Sequence, residues 1–148
     1  MKQLFYVSNT SLSFRGKEDI EDILSKADSY NNQTGISGIL LYHSGLFLQL
    51  LEGESADVDH LYSKIFKDPR HSNLTVLFDI AATQRIFTKW GMAYRDVNEL
   101  DIKMVNQMLS WTRLIQGSKD IDNALILKML EQFKERISID QLPNLAKE

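Results

Sequence analysis

The sequence contains no cysteine, which excludes disulfide bonds, thiolate metal sites and cysteine nucleophiles. It also has no apolar run that approaches the roughly 20 residues needed by a membrane-spanning helix. The N-terminal residues, from Met1 to Phe5, lack the apolar region and the cleavage site of a signal peptide. These absences predict a cytoplasmic protein with no membrane association.

The sequence also lacks an excess of basic residues. It carries 17 lysine and arginine residues against 20 aspartate and glutamate residues, a net charge of −3. This balance offers no electrostatic support for nucleic-acid binding. The rest of the composition, 43% apolar and 25% charged residues over 148 positions, is ordinary for a globular protein. A chain of this length suits one domain with a short extension, and it can bury a core without covalent cross-links.

Apolar periodicity predicts alternating strands and helices up to residue 96. Strands are predicted at 3–8, 36–42, 46–51, 74–81 and 90–94, and helices at 17–31 and 55–67. His43-Ser44-Gly45 is a hairpin turn signal, and Pro69 ends the second helix because it disfavours helical backbone at Asp68. This order predicts an α+β fold, a ferredoxin-like βαββαββ arrangement in which a mixed five-stranded sheet carries two helices on one face.

The pattern changes after Asp96, where two further helices, at 98–115 and 120–137, follow without a strand between them. The second of these is too apolar for a helix with a single buried stripe. We expect it to cover the open face of the sheet, a second subunit, or both. The predicted organisation is a domain at 1–96, a helical extension at 97–137 for capping, oligomerisation or signal output, and a flexible tail at 138–148.

Polar side chains stand where a simple folding pattern would place apolar ones. Gln49 lies inside the apolar run 46–51, Tyr6 lies inside the run 4–7, and Asn31 ends the first predicted helix. A buried glutamine in mid-strand costs about 1–3 kcal/mol unless its amide is hydrogen-bonded. The phenol and the two amides together predict a buried polar ligand, and a flat heteroaromatic ring fits them.

Five short patterns, taken in order, resemble the BLUF family, which are sensors of blue light that use FAD. The patterns span about residues 2–95 and are Tyr6-x-Ser8, Asn31-x3-Gly35-Ile36-Ser37-Gly38, Phe47-x-Gln49-x2-Glu52-Gly53, Asp68-x-Arg70-His71 and Trp90-x-Met92. None of them is specific alone, but the ordered set is. The departures are small: Ser37 stands where family members often have threonine, and Gly91 separates Trp90 from Met92. Neither departure removes a functional group.

The resemblance implies a photoactive centre built from Tyr6 and Gln49, with Ser8, Trp90 and Met92 as further members. It implies that an electron and a proton leave Tyr6, that the Gln49 amide rearranges, and that the flavin recovers its redox state with a changed hydrogen bond at a ring carbonyl. A small red shift and a long-lived signalling state result. No substrate is turned over, so we do not expect an enzyme. Trp90 and Met92 are expected on one face of their strand, and which of them faces the flavin stays open.

The resemblance also implies a flavin site. Asn31 is the expected flavin-binding amide, and its spacing of four from Gly35 favours it over the adjacent Asn32. Ile23 and Ile65 would pack against the two ring faces if the flavin lies between the helices. The remaining binding candidates are Tyr6, Asn32, Gln49, Lys64, Asp68, Arg70 and His71. FAD is the expected cofactor, and FMN or riboflavin would also fit because the site sees mainly the ring. The absence of cysteine excludes a cysteinyl–flavin adduct.

Other functions are compatible with parts of this pattern. An enzyme of the acylphosphatase kind would use Arg15 and Gly16, but the early loop lacks a glycine-rich phosphate cradle. A metal site has no support, because His43, His60 and His71 show no ligand spacing. The main alternative is a light-insensitive ferredoxin-like interaction module that has lost flavin. The presence of Tyr6, Asn31, Gln49 and Arg70 argues against this alternative, because buried polar groups that bind no ligand would lower the stability of the fold.

No cyclase, phosphodiesterase or DNA-binding segment is recognisable in the chain, so we expect a short stand-alone BLUF protein. It is expected to form a homo-oligomer and to signal to a downstream protein partner, which the sequence does not identify. Light would alter the hydrogen bonds of Gln49, then the strand of Trp90 and Met92, and then the helices at 97–137. Such a switch requires two states that differ in their affinity for the partner.

Overall fold

The computed structural model describes residues 1–87 and 92–96, together with the helical positions Lys103, Gln107 and Ser110. Its elements are β1 (Lys2–Thr10), α1 (Lys17–Thr34), β2 (Ser37–His43), β3 (Leu46–Gly53), α2 (Ser55–Phe66), β4 (His71–Ala81) and β5 (Ala93–Asp96). The predicted α+β class and the order βαββαβ are confirmed. A short fifth strand follows them.

The strands form one sheet in the order β4-β1-β3-β2-β5. β1 pairs antiparallel with both β3 and β4, and β3 also pairs antiparallel with β2. β5 runs parallel to β2, with Ile39 opposite Ala93 and Leu40 opposite Tyr94. The inner strands β1 and β3 place Tyr6 directly opposite Gln49.

A tight turn between β2 and β3 sets the register that makes this pairing possible. Ser44 and Gly45 both have positive φ, at 43° and 85°, which is the type I′ geometry favoured in two-residue hairpins. The predicted hairpin turn is confirmed, and it places Leu40 opposite Gln49. A slip of one residue would move Gln49 to the other face of the sheet.

Several predicted boundaries differ from those observed. The fourth strand begins at His71 instead of residue 74, because Ser72 and His71 pair with the end of β1. The first helix continues beyond residue 31 to Thr34, and the left-handed Gly35 caps it with a hydrogen bond from its N–H to the Asn31 carbonyl. The last strand, predicted at 90–94, is observed at Ala93–Asp96, so Met92 precedes it.

Both helices pack on the same face of the sheet, as predicted. Leu24 of α1 and Val58 of α2 are fully buried, and they share one apolar cluster with Leu4, Leu40 and Leu51 of the sheet. Burying each such side chain contributes roughly 1.5–3 kcal/mol, so the helices are held firmly against the strands. The opposite face also buries apolar side chains, and those with at most 2% exposure are Phe5, Ile39, Leu41, Leu48 and Leu50.

Some predictions concern residues that the structure does not describe. Trp90 is one of them, and so are the helical extension at 97–137, apart from the three positions given above, and the tail at 138–148. Among the described residues, no helix combines the length and the apolar character needed to cross a membrane.

Candidate functional site

The centre of the site is a hydrogen-bonded chain of three buried side chains. Tyr6 is 3% exposed and Gln49 is 4% exposed, and the Tyr6 hydroxyl donates to Gln49 Oε1. The other end of the amide, Gln49 Nε2, donates toward the Met92 sulfur at 3.5 Å. The amide therefore links a phenol on β1 to the thioether that precedes β5. Because an amide has a donor and an acceptor at opposite ends, turning it over would change both contacts together.

Burial decides the protonation state of Tyr6. Removal from water raises the pKa of the phenol well above its usual value, and Tyr62 and Asp68 raise it further. The Tyr62 ring meets the Tyr6 ring edge-on, with the ring centroids 5.7 Å apart. Tyr6 is therefore a neutral phenol with its proton directed at Gln49, and this is the state needed by a donor of both an electron and a proton.

The raised pKa of Tyr6 predicts a loss of stability in alkali. Below pH 10, the ordinary value, the phenol is protonated in both the folded and the unfolded chain. Above it, the unfolded chain releases the proton while the folded chain keeps it. Tyr6 should then lower the free energy of unfolding by about 1.4 kcal/mol per pH unit. Urea unfolding of the wild type and of Tyr6→Phe between pH 8 and 11 measures this slope, and parallel curves for the two proteins would contradict the prediction.

A second buried hydrogen-bonded chain lies beside the first. Ser8, two residues after Tyr6, is fully buried, and its hydroxyl lies 2.9 Å from His71 Nδ1. His71 Nε2 lies 2.6 Å from the carbonyl oxygen of Ile65. A carbonyl only accepts, so Nε2 carries a hydrogen and donates it to Ile65. This arrangement fixes the ring of His71 against the end of α2.

Arg70 is held by three carboxylates. Its Nη2 donates to Asp68 at 2.6 Å and its Nη1 to Asp22 at 2.9 Å, and Asp19 lies 3.6 Å from Nη1. The hydrogen bonds with Asp68 raise the pKa of Arg70 most strongly. Burial opposes ionisation of Asp68, but the Arg70 contacts outweigh it and lower the pKa of that carboxyl. Arg70 is a predicted flavin-binding residue, but most of its guanidinium N–H groups already donate to acidic side chains.

A cavity of about 360 Å³ lies between α1, α2 and the sheet. This volume lies within the range of small-molecule sites, which are mostly apolar with a few placed polar groups. Its lining residues are Tyr6, Ile23, Lys26, Ala27, Tyr30, Leu40, Phe47, Gln49, Leu61, Lys64, Ile65, Asp68, Arg70 and His71. Ile23 and Ile65 come from opposite helices, so the cavity presents apolar walls from both sides and the Tyr6–Gln49 pair from the sheet.

The structure brings most of the predicted residues to this cavity. Those that line it are Tyr6, Gln49, Ile23, Ile65, Lys64, Asp68, Arg70 and His71. Asn31 is 1% exposed and lies one helical turn beyond Ala27, which lines the cavity. Asn32 is not brought to the cavity: it is exposed, and its amide donates to Asp28 on the same helix. The role of Asn32 in flavin binding stays a prediction, but one residue along a helix turns its side chain to a different face from that of Asn31.

Sequence reasoning missed six residues of the cavity, which are Lys26, Ala27, Tyr30, Leu40, Phe47 and Leu61. On α1, Lys26, Ala27 and Tyr30 follow Ile23 with the spacing i+3, i+4 and i+7, which defines one face of a helix. That periodicity was the available signal. The Lys64 ammonium of α2 lies 4.9 Å from the centroid of the Tyr30 ring, a cation–π contact that joins the two helices at the cavity.

The fold and the cavity define an α+β domain with a ligand-sized pocket between its two helices and a buried tyrosine–glutamine pair facing that pocket. Comparison with known proteins identifies the family. The family profile of BLUF, described as sensors of blue-light using FAD, matches residues 1–93. The chain belongs to the BLUF family.

Curated relatives share this domain within much longer chains. The protein is 38% identical over 93 residues to photoactivated adenylate cyclase subunit alpha of Euglena gracilis, a match covering 62% of this chain and 9% of the relative. It is 41% identical over 78 residues to the blue light- and temperature-regulated antirepressor BluF of Escherichia coli strain K12, covering 53% of this chain and 19% of the relative. The chain thus spans less than a fifth of the length of either relative.

Two solved structures match nearly the whole length of the chain. The photo-activated state of BlsA is 27% identical with a TM-score of 0.71, covering 96% of this chain and 97% of that one. The dark-state structure of BlrB, a BLUF protein, is 27% identical with a TM-score of 0.69, covering 92% and 96%. The similarity therefore extends over nearly the whole length of both solved chains.

Proposed function

We propose that this protein is a blue-light photoreceptor that binds FAD non-covalently in the cavity between α1 and α2. The observation that carries the proposal is the buried hydrogen bond from Tyr6 to Gln49, which faces the cavity. A buried phenol and a buried amide in adjacent strands are costly unless they serve each other or a ligand. The family description, which names FAD, supports this cofactor. FMN and riboflavin carry the same ring and would fit the same walls.

The residues around the cavity suit a flavin ring. Ile23 and Ile65 would pack on its two faces, and the buried amide of Asn31 would bind its polar edge. His71, Asp68, Arg70 and Lys64 would surround its rim and side chain. A mainly apolar cavity with a few convergent polar groups is the usual form of a cofactor site. A cysteinyl–flavin adduct is excluded, since the chain has no cysteine.

When bound, flavin absorbs blue light and becomes a strong oxidant in its excited state. Tyr6 would then give up an electron together with its phenolic proton, which its hydrogen bond directs to Gln49 Oε1. The Gln49 amide would rearrange, and electron and proton would return to Tyr6. The altered amide would leave a new hydrogen-bond pattern around the cofactor and a different contact with Met92. The cycle consumes no substrate, so we propose a sensor and not an enzyme.

The signal would leave the site along the chain. Met92 contacts Gln49 and immediately precedes β5, so a change in that contact would reach β5 and the segment beyond it. We propose that residues 1–96 form the sensor, that 97–137 form a helical output region, and that 138–148 form a tail. Ser8 and Trp90 would belong to the responding network. We further propose a homo-oligomer that signals in the cytoplasm to a protein partner. The regulated antirepressor among the relatives supports such an output.

The experiment that tests the proposal is an absorption spectrum of the purified protein in darkness, repeated after blue light. We expect a flavin spectrum that shifts slightly to the red and recovers in the dark. A protein that cannot be loaded with flavin would favour the alternative of a light-insensitive interaction module. A flavin spectrum that bleaches would contradict the sensor mechanism and indicate redox chemistry.

The buried amide of Asn31 allows a matched test of flavin binding. Asn31→Ala should raise the dissociation constant for flavin about tenfold or more, because the ring edge would lose a buried hydrogen-bond partner. Asn32→Ala is the control, since Asn32 is exposed and adjacent. Fluorescence titration of flavin with each protein measures the affinities. Equal affinities for the two variants would place the binding role elsewhere.

A further inference from the structure

Glu52 is the only acidic or basic side chain that is buried in the part of the chain described by the structure. It is fully buried, and three N–H groups donate to its carboxylate. These are Gln3 Nε2 at 2.8 Å, the backbone N–H of Ile86 at 2.8 Å and the backbone N–H of Phe87 at 2.7 Å. Both oxygens of the carboxyl group therefore accept from protein donors.

The backbone of Glu52 makes a further attachment to the same segment. Arg85 Nη1 donates to the Glu52 carbonyl oxygen at 3.1 Å and to the Ser37 hydroxyl at 3.0 Å. Three consecutive residues, 85–87, are therefore tied to one residue of β3. Both Ile86 and Phe87 are buried, at 5% and 1% exposure. The segment after β4 is thus anchored by hydrogen bonds as well as by packing.

This anchor lies on the same strand as the photoactive amide but on the opposite face. Glu52 follows Gln49 by three residues, and an odd separation along a strand places two side chains on opposite faces. The anchored segment leads to Met92, five residues beyond Phe87, and Met92 is the residue that contacts Gln49 Nε2. Immediately after Met92 the chain pairs with β2 through Ala93. Along the chain, Met92 therefore stands between two attachments to the sheet, and Glu52 makes the first of them.

We infer that Glu52 is a positioning residue, which holds segment 85–87 against β3 and thereby sets the Met92 thioether against the Gln49 amide. The inference rests on the proposed function, in which the Gln49–Met92 contact carries the light signal. A buried charge is costly to desolvate, and apolar side chains of similar volume often replace buried ionic groups without loss of stability. Ile86 donates to one carboxylate oxygen of Glu52 and Phe87 to the other, so a single side chain satisfies two successive backbone N–H groups.

Glu52→Gln tests the inference with little change of volume. One of the two oxygens becomes an NH2 group, so at least one of the three donors now faces a donor. Gln3→Leu is the matched control, because it removes a contact to the same carboxylate and leaves the bonds from Ile86 and Phe87 intact. Arg85→Met is a second variant, for use if Glu52→Gln does not fold. It removes only the attachment to the Glu52 carbonyl and to Ser37.

The first measurement is made in darkness on the flavin-loaded proteins. The 13C-methyl resonance of Met92 and the hydrogen exchange of the Ile86 and Phe87 amides are recorded by NMR. Glu52→Gln should displace the Met92 resonance and speed exchange at one or both amides about tenfold. Arg85→Met should displace the same resonance by less. Gln3→Leu should leave the Met92 resonance and both exchange rates near their wild-type values.

The second measurement is the photocycle. Glu52→Gln should change the dark-recovery rate about tenfold or reduce the red shift per bound flavin, and Gln3→Leu should do neither. An unchanged Met92 resonance in Glu52→Gln, or equal changes in Glu52→Gln and Gln3→Leu, would overturn the inference. A wild-type protein with no red shift would instead refute the proposed photoreceptor function, and the Met92 resonance would still decide whether Glu52 positions that residue.

Discussion

Replacement of Tyr6 by phenylalanine should give a protein that binds flavin normally but shows no red shift after blue light. The ring, which packs against Tyr62, is retained, so the cavity keeps its shape. The lost hydroxyl is the group that donates to Gln49 Oε1 and the proposed source of both the electron and the proton. Leaving the Gln49 oxygen unpaired in a buried site should also lower the free energy of unfolding by about 1–3 kcal/mol.

Tyr62→Phe is the control for this experiment. Tyr62 lies against Tyr6 with ring centroids 5.7 Å apart and is a second phenol in the same region, but the Gln49 oxygen takes its hydrogen bond from Tyr6. Light-minus-dark absorption spectra at equal flavin occupancy compare the two variants with the wild type. A normal red shift in Tyr6→Phe would rule out Tyr6 as the donor, and loss of the shift only in Tyr62→Phe would assign that role to Tyr62.

Gln49→Leu should have an equally large effect through a different group. It preserves Tyr6 as a possible electron donor but removes the acceptor for the phenolic proton and the donor to Met92. No amide remains to rearrange, so we expect flavin binding without a red-shifted state. The buried Tyr6 hydroxyl would be left without its partner, which should lower the free energy of unfolding by about 1–3 kcal/mol.

Gln3→Leu is the matched control for Gln49→Leu. Both glutamines are buried, at 1% and 4% exposure, and they lie on neighbouring strands. Gln3 faces away from the cavity and donates to Glu52. The same pair of absorption spectra measures the result: Gln3→Leu should keep the red shift, and Gln49→Leu should lose it. A red shift that persists in Gln49→Leu would show that the amide is not the switch.

Local patterns allowed a large part of this architecture to be predicted. Period-2 and period-3.6 apolar spacing indicates strands and helices whatever the long-range contacts, so the strand and helix order was predictable. The left-handed turn at Ser44 and Gly45 was also predictable, because turn chemistry is local. The exact ends of the strands and helices were harder to predict. β4 begins three residues earlier than periodicity suggests because it is extended by pairing with β1, and that contact is remote in sequence.

Some residues of the candidate site could likewise be predicted from the sequence, and others could not. Tyr6 and Gln49 were identified because they are polar residues within apolar runs of the sequence, and Asn31 because of its spacing of four from Gly35. Asn32 was included because adjacent residues cannot be separated by type alone, whereas the helix turns one inward and the other outward. The environment of Arg70 was not predictable, since Asp19 and Asp22 come from α1 and Arg70 from the segment after α2. Spacing along the chain does not report such contacts.

The sequence by itself determined the α+β class, the polar residues of the site and the resemblance to blue-light sensors that use FAD, because each depends on residue type and local order. Only the tertiary structure decided that Tyr6 and Gln49, 43 residues apart, share a hydrogen bond. It alone placed a cavity behind them and tied Glu52 to the segment that leads to Met92. The physical reason is that hydrogen bonds and cavities depend on strand register and helix rotation, and these are set by the packing of the whole domain.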